Sequence, residues 1–437
     1  MLKRKAMERF NFWKQHKTKQ ALLVTGARQI GKTFLIREFA KSNYDCIIEF
    51  NLVENTEARE SFKNAVNAED LLFRMSLVGN GPMVPGNTIV FLDEIQECPE
   101  IVTFIKFLVE KGGCDYALSG SLLGVELENI RSYPVGYITE VMMYPLDFEE
   151  FCWAAGQSSE VFDLLGESLS NKTAVPDYVH RHLLNLYHRY LLVGGMPDAI
   201  VAYLQDNSLD QARIIQNNIM AYYKSDISKY APKEDRLVIK NIYDLIPSEL
   251  LRQNRRFRFS SIEGVKRYTQ IQDQFLWLTK ANVALPSFNI RAPIMPLLVN
   301  EQHNLFKLFL SDIGLLTCMY GRQVSLNLLD GKPVTAMGGV YENFVAQELM
   351  AHGFKLRYFT NKKIGELDFV LERKDGSIIA IEVKSGNNYM THAALANALQ
   401  AKSYDISEAW VLAETNIHKR GEVTYLPIYL ASLLINE

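Results

Sequence analysis

The run Val24-Thr25-Gly26-Ala27-Arg28-Gln29-Ile30-Gly31-Lys32-Thr33 constrains this chain more than any other stretch. It fits the pattern Gly-x-x-x-x-Gly-Lys-Ser/Thr without a mismatch. Its flanks agree: Ala21-Leu22-Leu23-Val24 reads as a buried parallel strand, and Phe34 to Ala40 has helical spacing. In such a turn the backbone N–H groups point inward and cradle phosphate oxygens, and the following helix N-terminus adds positive partial charge. Gly26 and Gly31 supply backbone freedom that a Cβ would block. The expected ligand is ATP with Mg²⁺, bound by Gly26, Ala27, Arg28, Gln29, Ile30, Gly31, Lys32 and Thr33. Lys32 would sit on the β- and γ-phosphates and Thr33 on the metal.

Further along, Thr88-Ile89-Val90-Phe91-Leu92-Asp93-Glu94 sets four consecutive apolar residues before an acidic pair, as in a strand buried on both faces. An aspartate there is where a nucleoside-triphosphatase keeps its second Mg²⁺-ordering group. Glu94 is then placed to polarise the attacking water, or else to cap the helix that begins near Pro99. That helix, to about Lys111, carries Ile101, Phe104, Ile105 and Leu108 on one face. Tyr116 to Ser121 is another strand; the hydroxyl of Ser119 or Ser121 either touches the γ-phosphate or belongs to a plain turn.

A chain of 437 residues has room for roughly two or three domains. The net charge of −3 gives no global field for nucleic acid, so any such binding needs a local basic patch. Five cysteines without a Cys-x-x-Cys pair argue for a reducing compartment and against a disulfide framework or zinc site. No signal peptide and no apolar stretch of membrane-spanning length is visible, so the expectation is a cytoplasmic protein with no membrane partner. Residues 1 to about 19 read as a short basic helix with Phe10, Phe12 and Trp13 available for packing, and 56 to 78 as one helical stretch.

Thr25 to Thr33, the Asp93-Glu94-Ile95-Gln96 box, Leu118-Ser119-Gly120-Ser121 and Tyr144-Pro145-Leu146-Asp147-Phe148-Glu149-Glu150-Phe151 together resemble a prokaryotic family of AAA-type ATPases. The resemblance covers nearly the whole chain. It implies a parallel sheet in which another strand separates the phosphate-loop strand from the Asp-Glu strand, and a γ-phosphate sensor at Ser119 or Ser121. Many members carry Gly-Arg shortly before the Pro-Leu-x-Phe-x-Glu-Phe box; here the pair is Gly136-Tyr137, which leaves Arg131 as the nearby arginine. Relatives of such ATPases form rings or dimers, so a homo-oligomer is compatible with the resemblance, but the sequence fixes no oligomeric state.

Residues 152 to 235 read as helical, interrupted at Gly194-Gly195-Met196-Pro197, a hinge or an interhelical turn. From 236 to 320 the pattern suggests a small helical module, which in the resembled family is winged-helix-like. It contains Arg252-Gln253-Asn254-Arg255-Arg256-Phe257-Arg258. DNA is a candidate partner through Arg252, Arg255, Arg256 and Arg258, whose phosphate contacts would be steeply salt-dependent. A solvated face, or an internal partner for acidic groups, explains the same run.

The last third holds a second constellation. Tyr341 to Leu349 reads as a helix, Glu366 to Glu372 as a strand, and Ile378 to Lys384 as the returning strand. A two-residue turn at Asp375-Gly376 would pair residues summing to 751 and put Asp368 on the wrong face. A three-residue loop, Lys374 to Gly376 with Gly376 left-handed, pairs residues summing to 750 and sets Asp368 opposite Glu382. We expect the latter. Glu342, Asp368 and Glu382 would then converge with Lys384 and suit one or two Mg²⁺ ions, with Lys384 supporting the nucleophile. This set resembles the PD-(D/E)xK restriction-endonuclease-like fold. Pro427 suits an edge strand.

The expected fold is α/β. An AAA-like P-loop parallel sheet would occupy 1–155, a helical lid and linker 156–235, a winged-helix-like module 236–325, and a nuclease-like α/β domain 326–437. Two functions fit: an ATPase coupled to nucleic-acid binding or cutting, or a nucleotide-gated switch whose nuclease-like domain is inactive and docks a protein.

Overall fold

The computed structural model describes residues 2–121, 134–329, 332, 335–386 and 388–436. It divides into two compact units, one of residues 4–144 with 280–282, the other of 145–279 with 283–437.

The first unit is built on a five-stranded sheet: β1 (Ala21–Thr25), β2 (Cys46–Asn51), β3 (Thr88–Asp93), β4 (Cys114–Ser119) and β5 (Ile138–Met142). Their order is β2-β3-β4-β1-β5, and every pairing is parallel. The β4 strand does separate the phosphate-loop strand from the Asp-Glu strand. β1 and β3 are buried at every position, which is why they are continuous apolar runs and show no alternation. One face packs Leu23, Ile48, Phe50, Val90 and Leu92 against the helices Thr56–Lys63, Ala68–Val78 and Glu100–Lys111. Helix Lys32–Asn43 packs against β3 and β4 and also meets the N-terminal helix Ala6–His16. There Phe10 meets the Phe39 ring edge-on and Trp13 meets it at a tilt, while Phe12 stays 63% exposed.

Residues 56–78 form two helices rather than one. Asn67 caps the second by accepting the Asp70 N–H at 2.8 Å, and an asparagine side chain competing for backbone donors starts a helix better than it continues one.

The second unit contains two sheets. β6 (Ala284–Ile290) and β7 (Glu301–Leu310) pair antiparallel, so the segment expected to be purely helical contributes a long hairpin. It joins β8 (Arg357–Asn361) and β9 (Gly365–Leu367) in the order β7-β6-β8-β9. The other sheet runs β10-β11-β12-β14-β13, from β10 (Phe369–Glu372), β11 (Ile378–Val383), β12 (Ile406–Ala413), β13 (His418–Arg420) and β14 (Val423–Pro427). The expected strand 366–372 is thus split at Asp368, where the chain passes from one sheet to the other. β14 is not the edge strand, but β13 pairs with it only as far as Tyr425, so Pro427 interrupts no ladder on that side. An aromatic cluster of Phe148, Tyr187, Tyr190, Phe344 and Tyr429 fills the core beside helix Met337–Ala351. Apart from residues 280–282, the three segments expected after residue 155 lie within this one unit. Among the described residues no helix is long and apolar enough to cross a membrane.

Gly194 and Gly195 form a fixed junction. A Cβ on Gly195 would lie 2.1 Å from the Leu146 carbonyl oxygen, and one on Gly194 2.3 Å from Asp312 Oδ1. Asp312 accepts the Gly195 N–H at 2.6 Å and caps helix Ile313–Met319 through Leu315 N–H at 2.9 Å. A junction tied this way is the interhelical turn rather than a hinge.

Candidate nucleotide site and C-terminal charge cluster

The loop between β1 and helix Lys32–Asn43 has the shape its glycines allow. Gly26 has φ +135°, and a Cβ there would sit 2.2 Å from the Met143 carbonyl oxygen. Gly31 is left-handed at φ +87° and caps the helix, and Gln29 also has positive φ. Ala27 and Ile30 are buried, while Arg28 and Gln29 are half-buried. Lys32 lies over the loop, its Nζ donating to the carbonyls of Gly26 at 3.0 Å and Ala27 at 2.7 Å. That is the concave side on which a phosphate cradle forms.

Thr33 and Asp93, sixty residues apart, meet beside this loop: the Thr33 hydroxyl donates to Asp93 Oδ2 at 3.0 Å. Asp93 is almost fully buried at the end of β3, and its Oδ1 accepts the Ser119 hydroxyl and the Glu94 N–H. Burial raises its pKa above the ordinary carboxylate value, and the Ser119 and Thr33 hydrogen bonds work against that rise. Ser119 comes from β4, so the intervening strand is what delivers a hydroxyl to the aspartate. Ser121 is buried two residues on. Glu94 follows in the left-handed region at φ +56°, a conformation strained for a side chain of this kind. Gln96 Nε2 holds its Oε2 at 2.5 Å. The residues present fit Mg²⁺-ATP: an oxygen pair from Thr33 and Asp93 and the Lys32 ammonium beside the Gly26–Lys32 loop, at the C-terminal ends of the interior strands β1 and β3.

Arg131 lies outside the described residues. At the position where the resembled family carries arginine, Tyr137 donates its hydroxyl to Glu110 Oε1 at 2.6 Å.

Arg4 escaped the sequence reading. It is 9% exposed, and its guanidinium donates to the Ile30 carbonyl at 2.9 Å and the Tyr144 carbonyl at 2.7 Å. A lone arginine in a basic N-terminus carries no sequence signal for such a clamp. The Asp147 box also has a structural explanation. Asp147 and Glu150 form a reciprocal capping box on helix Phe148–Ala154, Asp147 Oδ2 lies 3.0 Å from His352 Nε2, and Glu348 accepts the Phe148 N–H at 3.1 Å.

In the second unit the hairpin register is the one the three-residue loop requires. Phe369 pairs with Ile381 and Glu372 with Ile378, and Gly376 has φ +85°. Asp368 leaves the ladder and its Oδ2 accepts the Val383 N–H at 2.8 Å. Glu382 accepts the Leu395 N–H at 3.0 Å and pairs with Lys384 at 2.7 Å. Glu342, fully buried on its helix, hydrogen-bonds Asp368.

Two cations outside the expected set join the cluster. Lys307 of β7 is fully buried, with Nζ 3.1 Å from Glu342, 2.8 Å from Glu366 and 3.6 Å from Asp368. Arg255 pairs with the other oxygen of Glu342. Glu342, Asp368 and Glu382 thus each face a cation: Lys307 and Arg255 for Glu342, Lys307 for Asp368, Lys384 for Glu382. Burial raises the Glu342 pKa to about 7 against the pull of Lys307 and Arg255. The basic run is correspondingly depleted. Arg255 turns inward, Arg252 pairs with Glu249 at 3.2 Å, Arg256 is half-buried and Arg258 is exposed.

Residues 18–152 match the AAA domain family, 184–326 match a domain of unknown function (DUF8612), and 337–431 match another (DUF4143). Comparison with curated proteins gives no match. Among solved structures, similarity is found to a Walker-type ATPase of Pyrococcus abyssi, at 16% identity and a TM-score of 0.42 over 74% of this chain and 96% of that one. It is also found to the Aeropyrum pernix ORC1 protein in complex with DNA, at 14% identity and 0.28 over 76% and 91%. Drosophila ORC bound to DNA gives 14% identity and 0.26 over 72% and 91%. Residues 18–152 thus match the AAA domain family and carry the parallel sheet order and the Thr33–Asp93 pairing of a P-loop fold.

Proposed function

We propose that this chain binds and hydrolyses ATP with Mg²⁺ at the C-terminal ends of the interior strands of its five-stranded sheet, and that the nucleotide cycle gates binding of nucleic acid by the remainder of the chain. The observation that carries the ATPase reading is the Thr33–Asp93 hydrogen bond at 3.0 Å beside the Gly26–Lys32 loop. Thr33 and Asp93 would hold Mg²⁺, which supplies charge neutralisation at the phosphates. Lys32 and the loop N–H groups bind the β- and γ-phosphates. Glu94 accepts the proton of the attacking water once Gln96 releases it. Ser119, already on Asp93, reports whether the γ-phosphate is present. Segments 156–235 and 236–325 act as lid and winged module in this reading. A cytoplasmic location accompanies it, supported by five cysteines without a pairing pattern.

The decisive experiment is ATP turnover with Lys32→Ala and Glu94→Gln beside the wild type. Lys32→Ala should abolish binding. Glu94→Gln should keep binding and lose about 10²–10⁴-fold in turnover. Equal turnover in all three would end the ATPase reading. A second reading, a nucleotide-gated switch that docks a protein, is favoured by the inward turn of Arg255 and the pairing of Arg252. It expects DNA binding that does not change with Arg256→Ala and Arg258→Ala, whereas nucleic-acid binding expects a shallower salt dependence in that double variant.

A further inference from the structure

The C-terminal cluster carries an inference that goes beyond ATP hydrolysis and does not rest on it. We propose that Lys307, backed by Arg255, is the resident cation of the nuclease-like centre and takes the place of a divalent metal. The centre is then a charge lock within the fold and not a metal-dependent phosphodiesterase.

Three observations support this. The first is the placement of Lys307. Its strand register pairs it with Ser287 in the β6–β7 hairpin, and from there its ammonium reaches carboxylates on helix Met337–Ala351, on β9 and at Asp368. Being fully buried, it has no water to retreat into, and removing it would strand unpaired carboxylates. A divalent ion on the Glu342 and Asp368 oxygens would have to bind in contact with this ammonium.

The second observation is that the backbone is shaped to admit Arg255. A Cβ on Gly338 would lie 2.2 Å from Arg255 Nη2, so glycine there leaves room for the guanidinium where it meets Glu342. A Cβ on the next residue, Gly339, would lie 2.6 Å from the Leu250 carbonyl, which lets the segment before Arg255 approach the helix. The third is the use of the remaining acceptors. Asp368 accepts the Val383 N–H, and Glu382 accepts the Leu395 N–H while pairing with Lys384. Asp368 Oδ2 and Glu382 Oε1 are thus each held by a fixed backbone donor, and Glu382 Oε2 faces the Lys384 ammonium.

The test uses the full chain without nucleotide. Mn²⁺ binding is followed by the electron paramagnetic resonance signal of the free ion, and thermal unfolding is recorded with and without millimolar Mn²⁺, for wild type and Asp368→Asn. The expected result is no Mn²⁺ binding that depends on Asp368, and a Mn²⁺-dependent melting shift that is the same in wild type and Asp368→Asn. Dependence on Asp368 separates this centre from ions held elsewhere, such as near Asp147, Glu348 and His352. Lys307→Met should lower the melting temperature, and Lys307→Met with Glu342→Gln should recover part of the loss, because cation and anion are removed together. A Mn²⁺ site weakened tenfold or more by Asp368→Asn would overturn the proposal. So would Mn²⁺-dependent DNA cleavage lost in Lys384→Ala. If Lys307→Met does not fold, the wild-type and Asp368→Asn comparison decides by itself.

Discussion

Replacing Arg4 by methionine should weaken ATP binding about tenfold, although Arg4 lies outside the phosphate-loop motif. The carbonyl of Ile30 and the N–H of Gly31 belong to one trans peptide, so they point in opposite directions. Arg4 fixes that carbonyl at 2.9 Å, which fixes the direction of the Gly31 N–H in the cradle. Its second bond, to the Tyr144 carbonyl at 2.7 Å, ties the loop to the chain just past β5. Hydrogen bonds from a charged donor contribute about 1.5–3 kcal/mol each, so the pair is worth about 3–6 kcal/mol, with the lower end apt because the second bond is only part-buried. If roughly half of that lower figure falls on loop order, the loss is about 1.4 kcal/mol, or about tenfold in Kd. Methionine keeps most of the apolar stem, so packing contributes little to the difference. The assay is titration with a fluorescent ATP analogue, for wild type, Arg4→Met and Arg4→Lys, alongside thermal unfolding. The lysine variant should fall between, since one ammonium cannot serve both carbonyls in a fork. A Kd within twofold of wild type in a destabilised Arg4→Met protein would refute the clamp and leave Arg4 a purely structural residue.

Three further outcomes follow from the same geometry. Gly26→Ala should abolish nucleotide binding while β1 still forms, because the new Cβ would meet the Met143 carbonyl at 2.2 Å in a backbone conformation at φ +135°; calorimetric titration with ATP measures it, and retained affinity would count against the loop reading. Gln96→Ala should change turnover and leave ATP affinity within about twofold, since Gln96 touches Glu94 and not the phosphate loop; an equal loss in both would place Gln96 in nucleotide binding instead. Burial pushes the pKa of Asp312 up to about 6 from its ordinary 3.8, so between these values the folded chain binds the extra proton. Stability of the second unit should therefore fall as pH rises from about 4 to above about 6, by up to ~3 kcal/mol at 1.36 kcal/mol per pKa unit. Denaturant midpoints across that range check it, and Asp312→Asn should flatten the slope.

What the sequence determined by itself was chemistry whose determinants lie close together along the chain. The phosphate loop needs glycines at fixed offsets between a strand and a helix, and all of these are local, so Gly26 to Thr33 could be read directly. Asp93 was legible because four apolar residues before an acidic pair mark the end of a strand buried on both faces. The hairpin register followed from loop length and one left-handed glycine, Gly376. The tertiary structure decided everything that depends on which distant groups neutralise one another. Neither Lys307, in a strand within the segment read as a helical module, nor Arg255, in a run open to DNA, solvent or internal acidic partners, has a sequence mark tying it to Glu342. The same holds for Arg4, whose partners lie 26 and 140 residues away. A carboxylate cluster has the same sequence whether a metal or a lysine balances it. Only the path of the chain, which brings β7 and the loop after Leu250 against helix Met337–Ala351, puts an ammonium and a guanidinium there.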